Sequence, residues 1–342
     1  MICARVKVNV LCVRKMESVL NVGSEEYKAS TEPGQSPLKV HLKSLWYFYH
    51  FWLAVVLGTF QTIFEFFTDW HSEKKFDGQV VLVTGGGNGL GRAICMELVK
   101  EKCKIAIADV DIKAAEKTAI ELQSLGIIAK AYKADVSIYD EVLDLRSQIQ
   151  NDFGTVDVLI NNAGLVCKIS LSEGTPQDIQ KVINVNIASN FWTTRIFLKD
   201  MIARKRGHIV GVSSMFGILP SGRSILYNTT KYAVRGFMSC LNEEIRMNKL
   251  SRQIKTTTVY PLFITTRDDL IRTLAHIKML DKTVVMPSEY AATLIVKAIK
   301  QEKLHASIPH GFYTMSGILA ILPRRILEKY FDAVIGDIPQ TF

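Results

Sequence analysis

The stretch VVLVTGGGNGLGRAICMEL (residues 80–98) carries the strongest evidence for the fold. A short aliphatic run ends in clustered glycines, after which Leu90, Ile94 and Leu98 recur on one face of a predicted helix. Glycines permit a tight turn and a close backbone approach to an anion, and the helix N-terminus offers free N–H groups and a positive dipole end. Strand, glycine turn and helix in this order predict a dinucleotide-binding turn.

Further apolar runs alternate with amphipathic helical stretches along the chain. These runs are KIAIAD, IAKAYKADV, VDVLINNAG, GHIVGVSS and KTTTVYP. Alternating strands and helices predict βαβ units, and so a doubly wound, parallel, Rossmann-type α/β fold over residues 77–310. The chain has 342 residues, 48% of them hydrophobic, which is enough for the core of one such domain.

Charge and composition exclude several classes of function. The net charge is +9, but the 42 Lys and Arg residues are scattered among 33 acids with no aromatic-interleaved basic run, so we expect no nucleic-acid partner. The six cysteines contain no CxxC pair, as expected of free thiols in a reducing compartment. The seven histidines show no metal-ligand spacing, so we predict no metal site.

The segments outside 77–310 have different compositions. Residues 1–44 are polar and unpatterned, which predicts a poorly ordered extension. Residues 45–67 (LWYFYHFWLAVVLGTFQTIFEFF) predict a membrane-anchoring helix that either spans the bilayer or lies in its interface; a buried core helix is the alternative. Residues 311–342 are apolar, then basic and aromatic, and fit a surface that touches membrane or covers a pocket, or a docked helix.

An acidic residue follows the second run at the distance that a dinucleotide site requires. Asp109 stands eighteen residues beyond Gly91. A carboxylate there binds ribose hydroxyls and repels a 2′-phosphate, which favours NAD over NADP. Lys113 is the nearby base that would moderate this preference.

The segment YNTTK (227–231) allows two interpretations. Asn228-Thr229-Thr230 fits an N-glycosylation acceptor, which requires an exposed loop in a lumenal domain. Tyr227 and Lys231 stand four apart, so on a helix their side chains share one face, as a catalytic pair requires.

Several motifs in this order make the chain similar to the short-chain dehydrogenase/reductase family over roughly residues 77–310. The matching segments are TGGGNGLG (84–91), ADV with Asp135, NNAG (161–164), VNVN with Asn186, VSS with Ser214, and YNTTK. The apolar segment 45–67 and the bulky Pro261-Leu262 pair, where many members have Pro-Gly, resemble the family's membrane-associated retinol and 17β-hydroxysteroid dehydrogenases.

The resemblance implies a role for each matching residue. Tyr227 is the acid/base, Lys231 lowers its pKa together with the cationic nicotinamide and binds ribose, Ser214 binds the substrate oxygen, and Asn186 holds a proton-relaying water. The cofactor-binding residues implied are Thr84, Gly85, Asn88, Gly89, Leu90, Gly91, Asp109, Asp135, Asn162, Ala163, Gly164, Tyr227, Lys231, Pro261 and Thr266.

We therefore expect an NAD-dependent dehydrogenase of a lipophilic alcohol or ketone, such as a retinoid, steroid or long-chain alcohol. The segment between Thr266 and Pro287 is expected to form a lid over the substrate. The resemblance also suggests a homodimer, which we expect at the endoplasmic reticulum or a lipid droplet. The free cysteines favour a cytosolic domain, and the glycosylation pattern is expected to be accidental because a helix that carries Tyr227 and Lys231 would bury Asn228. Two alternatives remain: an NADP-dependent carbonyl reductase, and a surface scaffold that retains the nucleotide-binding fold but turns over little.

Overall fold

A computed structural model describes the chain in separate ranges. The described residues are 45–50, 52–53, 56, 59–60, 73–167, 174–219, 224–265, 285–319, 323, 325–326 and 328–329. Contacts divide the chain into two units, Met1–His71 and Ser72–Phe342. The predicted extension 1–44 and most of the predicted lid lie outside the described residues, as do parts of 45–67 and 311–342.

The first unit is helical where it is described. Residues 45–50 form a helix in which Phe48 and Tyr49 are exposed, and the His50 ring lies 2.8 Å from the Trp46 carbonyl oxygen. Among the described residues, no helix is long and apolar enough to cross a membrane.

The second unit is built around a seven-stranded sheet in which every paired strand is parallel. Its strands run in the order β3-β2-β1-β4-β5-β6-β9, and β7 and β8 form a separate parallel pair. The strands are β1 (Val80–Thr84), β2 (Lys104–Asp109), β3 (Ala129–Lys133), β4 (Val158–Asn161), β5 (Gly207–Val212), β6 (Ile254–Pro261), β7 (Phe263–Thr265), β8 (Val285–Pro287) and β9 (His305–Ile308). The predicted doubly wound parallel sheet is confirmed.

Helices cover both faces of this sheet, which is why its strands are apolar on both sides. Val81 and Val83 pack with the helices on one face, and Val80 and Leu82 pack with those on the other. The first face carries α1 (Gly89–Glu97), α2 (Ile112–Ser124) and α7 (Ser288–Lys300), and the second carries α3 (Tyr139–Asp152), α5 (Ser189–Arg204) and α6 (Ile225–Met247). A short helix, α4 (Pro176–Ile183), precedes α5, and α8 (Phe312–Leu319) follows β9.

Helix α8 lies in the C-terminal segment 311–342, for which the sequence allows a membrane-touching surface, a pocket cover or a docked helix. The Tyr313 ring stacks on His305 of β9, with ring centroids 4.4 Å apart, and on Tyr260 of β6 at 5.2 Å. The Tyr260 hydroxyl lies 3.0 Å from His305 Nδ1, and the Arg235 guanidinium lies 5.8 Å from the Tyr313 ring. This part of the C-terminal segment is therefore a helix docked on the sheet.

The strand order reverses at β1, which lies between β2 and β4. In parallel sheets the connections that leave the two neighbouring strands diverge at such a point, and a crevice opens at the carboxyl ends. The loops after β1, β2, β4 and β5, which carry predicted site residues, all begin at this edge.

Candidate active site

The glycine loop between β1 and α1 is held in a conformation that side chains would prevent. Gly85 and Gly89 have φ of +64° and +53°, in the left-handed region that favours glycine. A Cβ on Gly91 would lie 2.0 Å from the Gly85 carbonyl oxygen, so the first turn of α1 can touch the loop only because residue 91 is glycine. Asn88, the N-cap residue, makes no side-chain capping bond, which leaves the α1 N-terminus available to an anion.

A polar cross-link holds the loops after β1 and β4 together. The Asn162 amide donates to the carbonyl oxygens of Thr84 and Gly85, at 3.0 and 3.1 Å. In return, the Thr84 hydroxyl accepts from the backbone N–H groups of Asn162 and Ala163, both at 3.1 Å. These four bonds join the first and fourth strands where the predicted cofactor residues meet.

Asp109 closes the other side of the glycine loop. One carboxylate oxygen accepts from the Gly87 N–H at 2.9 Å, and the other accepts from the Asp111 N–H at 3.0 Å. The carboxylate is thus fixed beside the loop, at the end of β2, as the sequence predicts. Arg92, which directly follows the loop, is paired with Glu121.

The other predicted cofactor residues are spread along the same edge. Asp135 follows β3, and its carboxylate accepts from the N–H and the hydroxyl of Ser137 at 2.9 and 2.6 Å. Pro261 ends β6, and its carbonyl oxygen lies 3.5 Å from Ser214 Oγ. Thr266 lies outside the described residues.

Ser214, Tyr227 and Lys231 come together where β5 ends and α6 begins. The Ser214 side chain lies close enough to Tyr227 to favour its phenolate, and Ser214 Oγ accepts from the Phe216 N–H at 3.2 Å. Lys231 Nζ donates to the Val212 carbonyl oxygen at 2.9 Å and lies 5.6 Å from the centre of the Tyr227 ring. The four-residue spacing on α6 therefore places both side chains on one face, as predicted.

Burial dominates the electrostatics of this group. It raises the pKa of Tyr227 to about 12, although the Ser214 side chain works to lower it and Cys167 works to raise it further. Burial also lowers the pKa of Lys231 to about 8. The expected lowering of the tyrosine pKa is therefore not produced by these side chains alone, because the desolvation of the phenolate outweighs the polar contacts.

Asn186 stands in a single π-helical turn, Asn184–Ala188, between α4 and α5. Its Oδ1 accepts from the Leu165 N–H at 2.7 Å, and its Nδ2 donates to the Leu165 carbonyl oxygen at 3.0 Å. A Cβ on Gly164 would lie 3.5 Å from Asn186 Oδ1 and 3.4 Å from Lys231 Nζ, so these two side chains are neighbours across Gly164. π-turns are frequent at functional sites.

The sequence did not predict every residue in this group. Thr230, buried on α6, accepts a hydrogen bond from Asn186 Nδ2 at 3.0 Å. Cys167 belongs to the group through its effect on Tyr227, and it is half-buried. Neither a lone threonine nor a lone cysteine carries a sequence signal that would single it out. Asn228 is 5% exposed within α6, so its glycosylation pattern lies in a packed helix.

An apolar cluster lies next to Ser214. It contains Met215, Ile218 and Tyr260, with Leu219, Leu262, Phe312 and Tyr313 packed against them. The cluster draws on the loops after β5 and β6 and on α8, so three separate parts of the chain supply an apolar surface beside the polar group.

Comparison with known proteins agrees with this geometry. Residues 79–269 match the family model described as short chain dehydrogenase. The chain belongs to the short-chain dehydrogenase family, whose members are oxidoreductases that use a nicotinamide cofactor.

Individual relatives are similar over most of the chain. Human estradiol 17-beta-dehydrogenase 11 is 30% identical over 279 residues, which cover 77% of this chain and 88% of that protein. Human 17-beta-hydroxysteroid dehydrogenase 13 is 32% identical over 215 residues, 63% of this chain and 71% of that protein. The crystal structure of a short chain dehydrogenase/reductase from Burkholderia phymatum in complex with NAD is 25% identical, with a TM-score of 0.64 over 71% of this chain and 93% of that one.

The residues at the carboxyl edge fit such a cofactor. The backbone at Gly91 lies closer to the Gly85 carbonyl oxygen than any side chain at residue 91 would allow. The α1 N-terminus faces the crevice, and the Asp109 carboxylate is fixed beside the glycine loop. In the described part of the chain, no group of three or more His, Cys, Asp and Glu side chains is placed to hold a metal ion.

Replacing Gly91 by alanine tests whether the glycine loop binds the cofactor. The added Cβ must displace the Gly85 carbonyl, so we expect NADH affinity to fall at least about tenfold, or about 1.4 kcal/mol. Gly236→Ala is the control, because nothing lies within 4 Å of its Cβ and α6 should be slightly stabilised. Affinity is measured by NADH fluorescence titration, and circular dichroism reports folding. Unchanged affinity in a folded Gly91→Ala variant would contradict the assignment of this loop.

Proposed function

We propose that this protein is an NAD-dependent dehydrogenase that oxidises a lipophilic alcohol at a membrane or lipid-droplet surface. The observation that carries the proposal is the contact group of Ser214, Tyr227, Lys231 and Asn186 at the carboxyl ends of β4 and β5. A scaffold has no need of a buried lysine beside a half-buried tyrosine, since burying a charged or polar group costs free energy.

The contacts support the roles proposed for Ser214, Tyr227 and Lys231, and the family resemblance supplies the role of Asn186. Bound nicotinamide supplies the hydride acceptor. Tyr227 takes the proton of the substrate hydroxyl, and Ser214, which lies beside the phenol, orients that hydroxyl and stabilises charge on its oxygen. Lys231 favours the phenolate by its charge, and Asn186 positions the water through which the proton leaves.

The apolar cluster beside Ser214 supports the choice of substrate. The cluster of Met215, Ile218, Leu219, Leu262 and Phe312 lies next to Ser214, so an alcohol bound there would place its carbon skeleton against apolar groups. Two of the relatives carry the names of steroid dehydrogenases. Retinoids, steroids and long-chain alcohols all satisfy this chemistry.

Tyr227→Phe removes the acid/base and leaves the ring. We expect turnover to fall at least about 1,000-fold, because proton transfer by a positioned side chain contributes 10²–10⁴-fold, while NADH still binds. NADH formation is followed with retinol, estradiol and long-chain alcohols on the membrane-bound protein. Tyr290→Phe, on the exposed face of α7, should retain full activity.

The pH dependence tests Tyr227 and Ser214 together. Because burial raises the pKa of Tyr227 to about 12, alcohol oxidation by the phenolate should accelerate as the pH rises from 6 to 9. Ser214→Ala should move the apparent pKa of this rise upward, since the Ser214 hydroxyl, which lowers the Tyr227 pKa, is lost. Full turnover by Tyr227→Phe would contradict the role of the tyrosine. NAD binding without NADH from any alcohol would favour the scaffold.

Cofactor selection rests on Asp109. Its carboxylate lies beside the glycine loop, and the adjacent arginine, Arg92, is paired with Glu121 rather than free to bind a 2′-phosphate. The related crystal structure from Burkholderia phymatum contains NAD. These contacts support NAD as the cofactor.

Asp109→Ala should raise the affinity for NADP at least about tenfold and lower that for NAD, because the repulsion of the 2′-phosphate and the ribose contact both disappear. Asp111→Ala is the matched control: it removes only the cap of α2 and should cost about 1 kcal/mol of stability without changing the cofactor preference. Isothermal titration with both cofactors measures the ratio. An unchanged ratio would favour the NADP-dependent reductase.

Two further properties belong to this proposal: attachment through residues 45–67 and a homodimer. The described aromatic residues of the segment 45–67 are exposed, as a membrane anchor requires. Phe191 on α5 and Met247 on α6 are exposed. The exposed charged residues include Arg195 and Lys199 on α5 and Glu243 and Glu244 on α6, so the two helices carry opposite charges. These features support a second copy as the partner of α5 and α6.

The full chain should float with liposomes and have twice the chain mass by light scattering in detergent. Leu53→Asp combined with Val56→Asp should abolish flotation, because charge is costly in the bilayer. Phe191→Glu should give a monomer. A full chain that stays in the soluble fraction, or a monomeric wild type, would refute the corresponding property.

A further inference from the structure

The side-chain amide of Asn186 is satisfied by three contacts, of which only two are made by Leu165. Its second Nδ2 hydrogen is directed at the Thr230 hydroxyl oxygen, 3.0 Å away. Both side chains are inaccessible to water, with Asn186 and Thr230 each 1% exposed. In such a place an unmet donor has no solvent to bond with.

The Thr230 hydroxyl has a fixed direction. It donates its hydrogen to the Tyr227 carbonyl oxygen, at 2.7 Å, so only its lone pairs face Asn186. An acceptor at this position admits Nδ2 and rejects Oδ1. Thr230 therefore reinforces the amide orientation that the Leu165 N–H and carbonyl oxygen already favour, in which Oδ1 points toward the Leu165 N–H.

This orientation has an electrostatic consequence at Lys231. A Cβ on Gly164 would lie 3.5 Å from Asn186 Oδ1 and 3.4 Å from Lys231 Nζ, so both atoms border the same small space beside Gly164. A carbonyl oxygen on that side favours the ammonium, whereas an inverted amide would present N–H groups to it and lower the lysine pKa further. The charge on Lys231 in turn supports the Tyr227 phenolate.

We propose that Thr230 is a positioning residue for the catalytic group: it holds the Asn186 amide in place and ties the π-turn to the helix that carries Tyr227 and Lys231. The inference rests on the proposed function. Threonine hydroxyls that bond a carbonyl in the preceding helical turn are common and local. Thr230 differs because its hydroxyl also accepts a hydrogen bond from Asn186, which lies outside α6.

The experiment compares Thr230→Val, which keeps shape and removes the hydroxyl, with Thr230→Ser, which keeps the hydroxyl. We expect Thr230→Val to lower kcat about tenfold with the KM for NAD within about twofold, and to raise the apparent pKa of the oxidation profile by at least about half a unit. Thr230→Ser should restore both values. Thr229→Val, an exposed neighbour on the same helix, should match the wild type.

Amide hydrogen exchange supplies a readout that does not need turnover. The Leu165 N–H donates to Asn186 Oδ1, so its exchange should accelerate in Thr230→Val and not in Thr229→Val or Thr230→Ser. If the wild type oxidises no alcohol, the proposed function fails and exchange at Leu165 alone decides the role of Thr230. An unchanged pH profile with normal exchange at Leu165, or a loss of stability without either change, would overturn the inference.

Discussion

The close backbone approach between the glycine loop and the first turn of α1 is the constraint on which the rest of the structure depends. A single methyl group on Gly91 would clash with the Gly85 carbonyl oxygen. Because that oxygen also accepts from Asn162, the same contact sets the distance between β1 and the loop after β4. Any side chain at position 91 would therefore displace backbone atoms that shape the crevice of the parallel sheet.

From this crevice the polar network continues through consecutive elements. The loop after β4 reaches Leu165, whose backbone is held at both ends by Asn186, and Asn186 reaches α6 through Thr230. The chain of bonds ends at the helix that carries Tyr227 and Lys231. The Asn186–Thr230 bond is buried, so its loss would leave an unmet polar group, whereas the two bonds to Leu165 are only partly buried.

Burial gives this network its chemical character. The phenol of Tyr227 and the ammonium of Lys231 are both shifted toward their neutral forms, the first to a pKa of about 12 and the second to about 8. Groups desolvated in this way respond strongly to any charge placed beside them, because the local dielectric constant is low. The apolar cluster next to Ser214 and the stacked rings that dock α8 add apolar surroundings beside the same group.

The sequence alone determined the parallel α/β fold, since hydrophobic runs and glycine turns are local patterns that βαβ units require. It also placed Asp109, Ser214, Tyr227 and Lys231 at strand ends and on one helix face, because spacing along a strand or helix translates directly into direction. The four-residue strand β9 escaped prediction: HASI has only one β-branched residue and obtains its strand form by pairing with β6.

Only the tertiary structure decided which side chains meet and how far each is buried. The Asn186–Thr230 bond joins residues 44 positions apart, and no local pattern encodes such a distance. The raised pKa of Tyr227 has the same origin, because desolvation is produced by neighbours from several elements and not by the Tyr-Lys spacing. Local periodicity sets the direction of a side chain, whereas its partners and its exposure to water exist only once distant segments have packed.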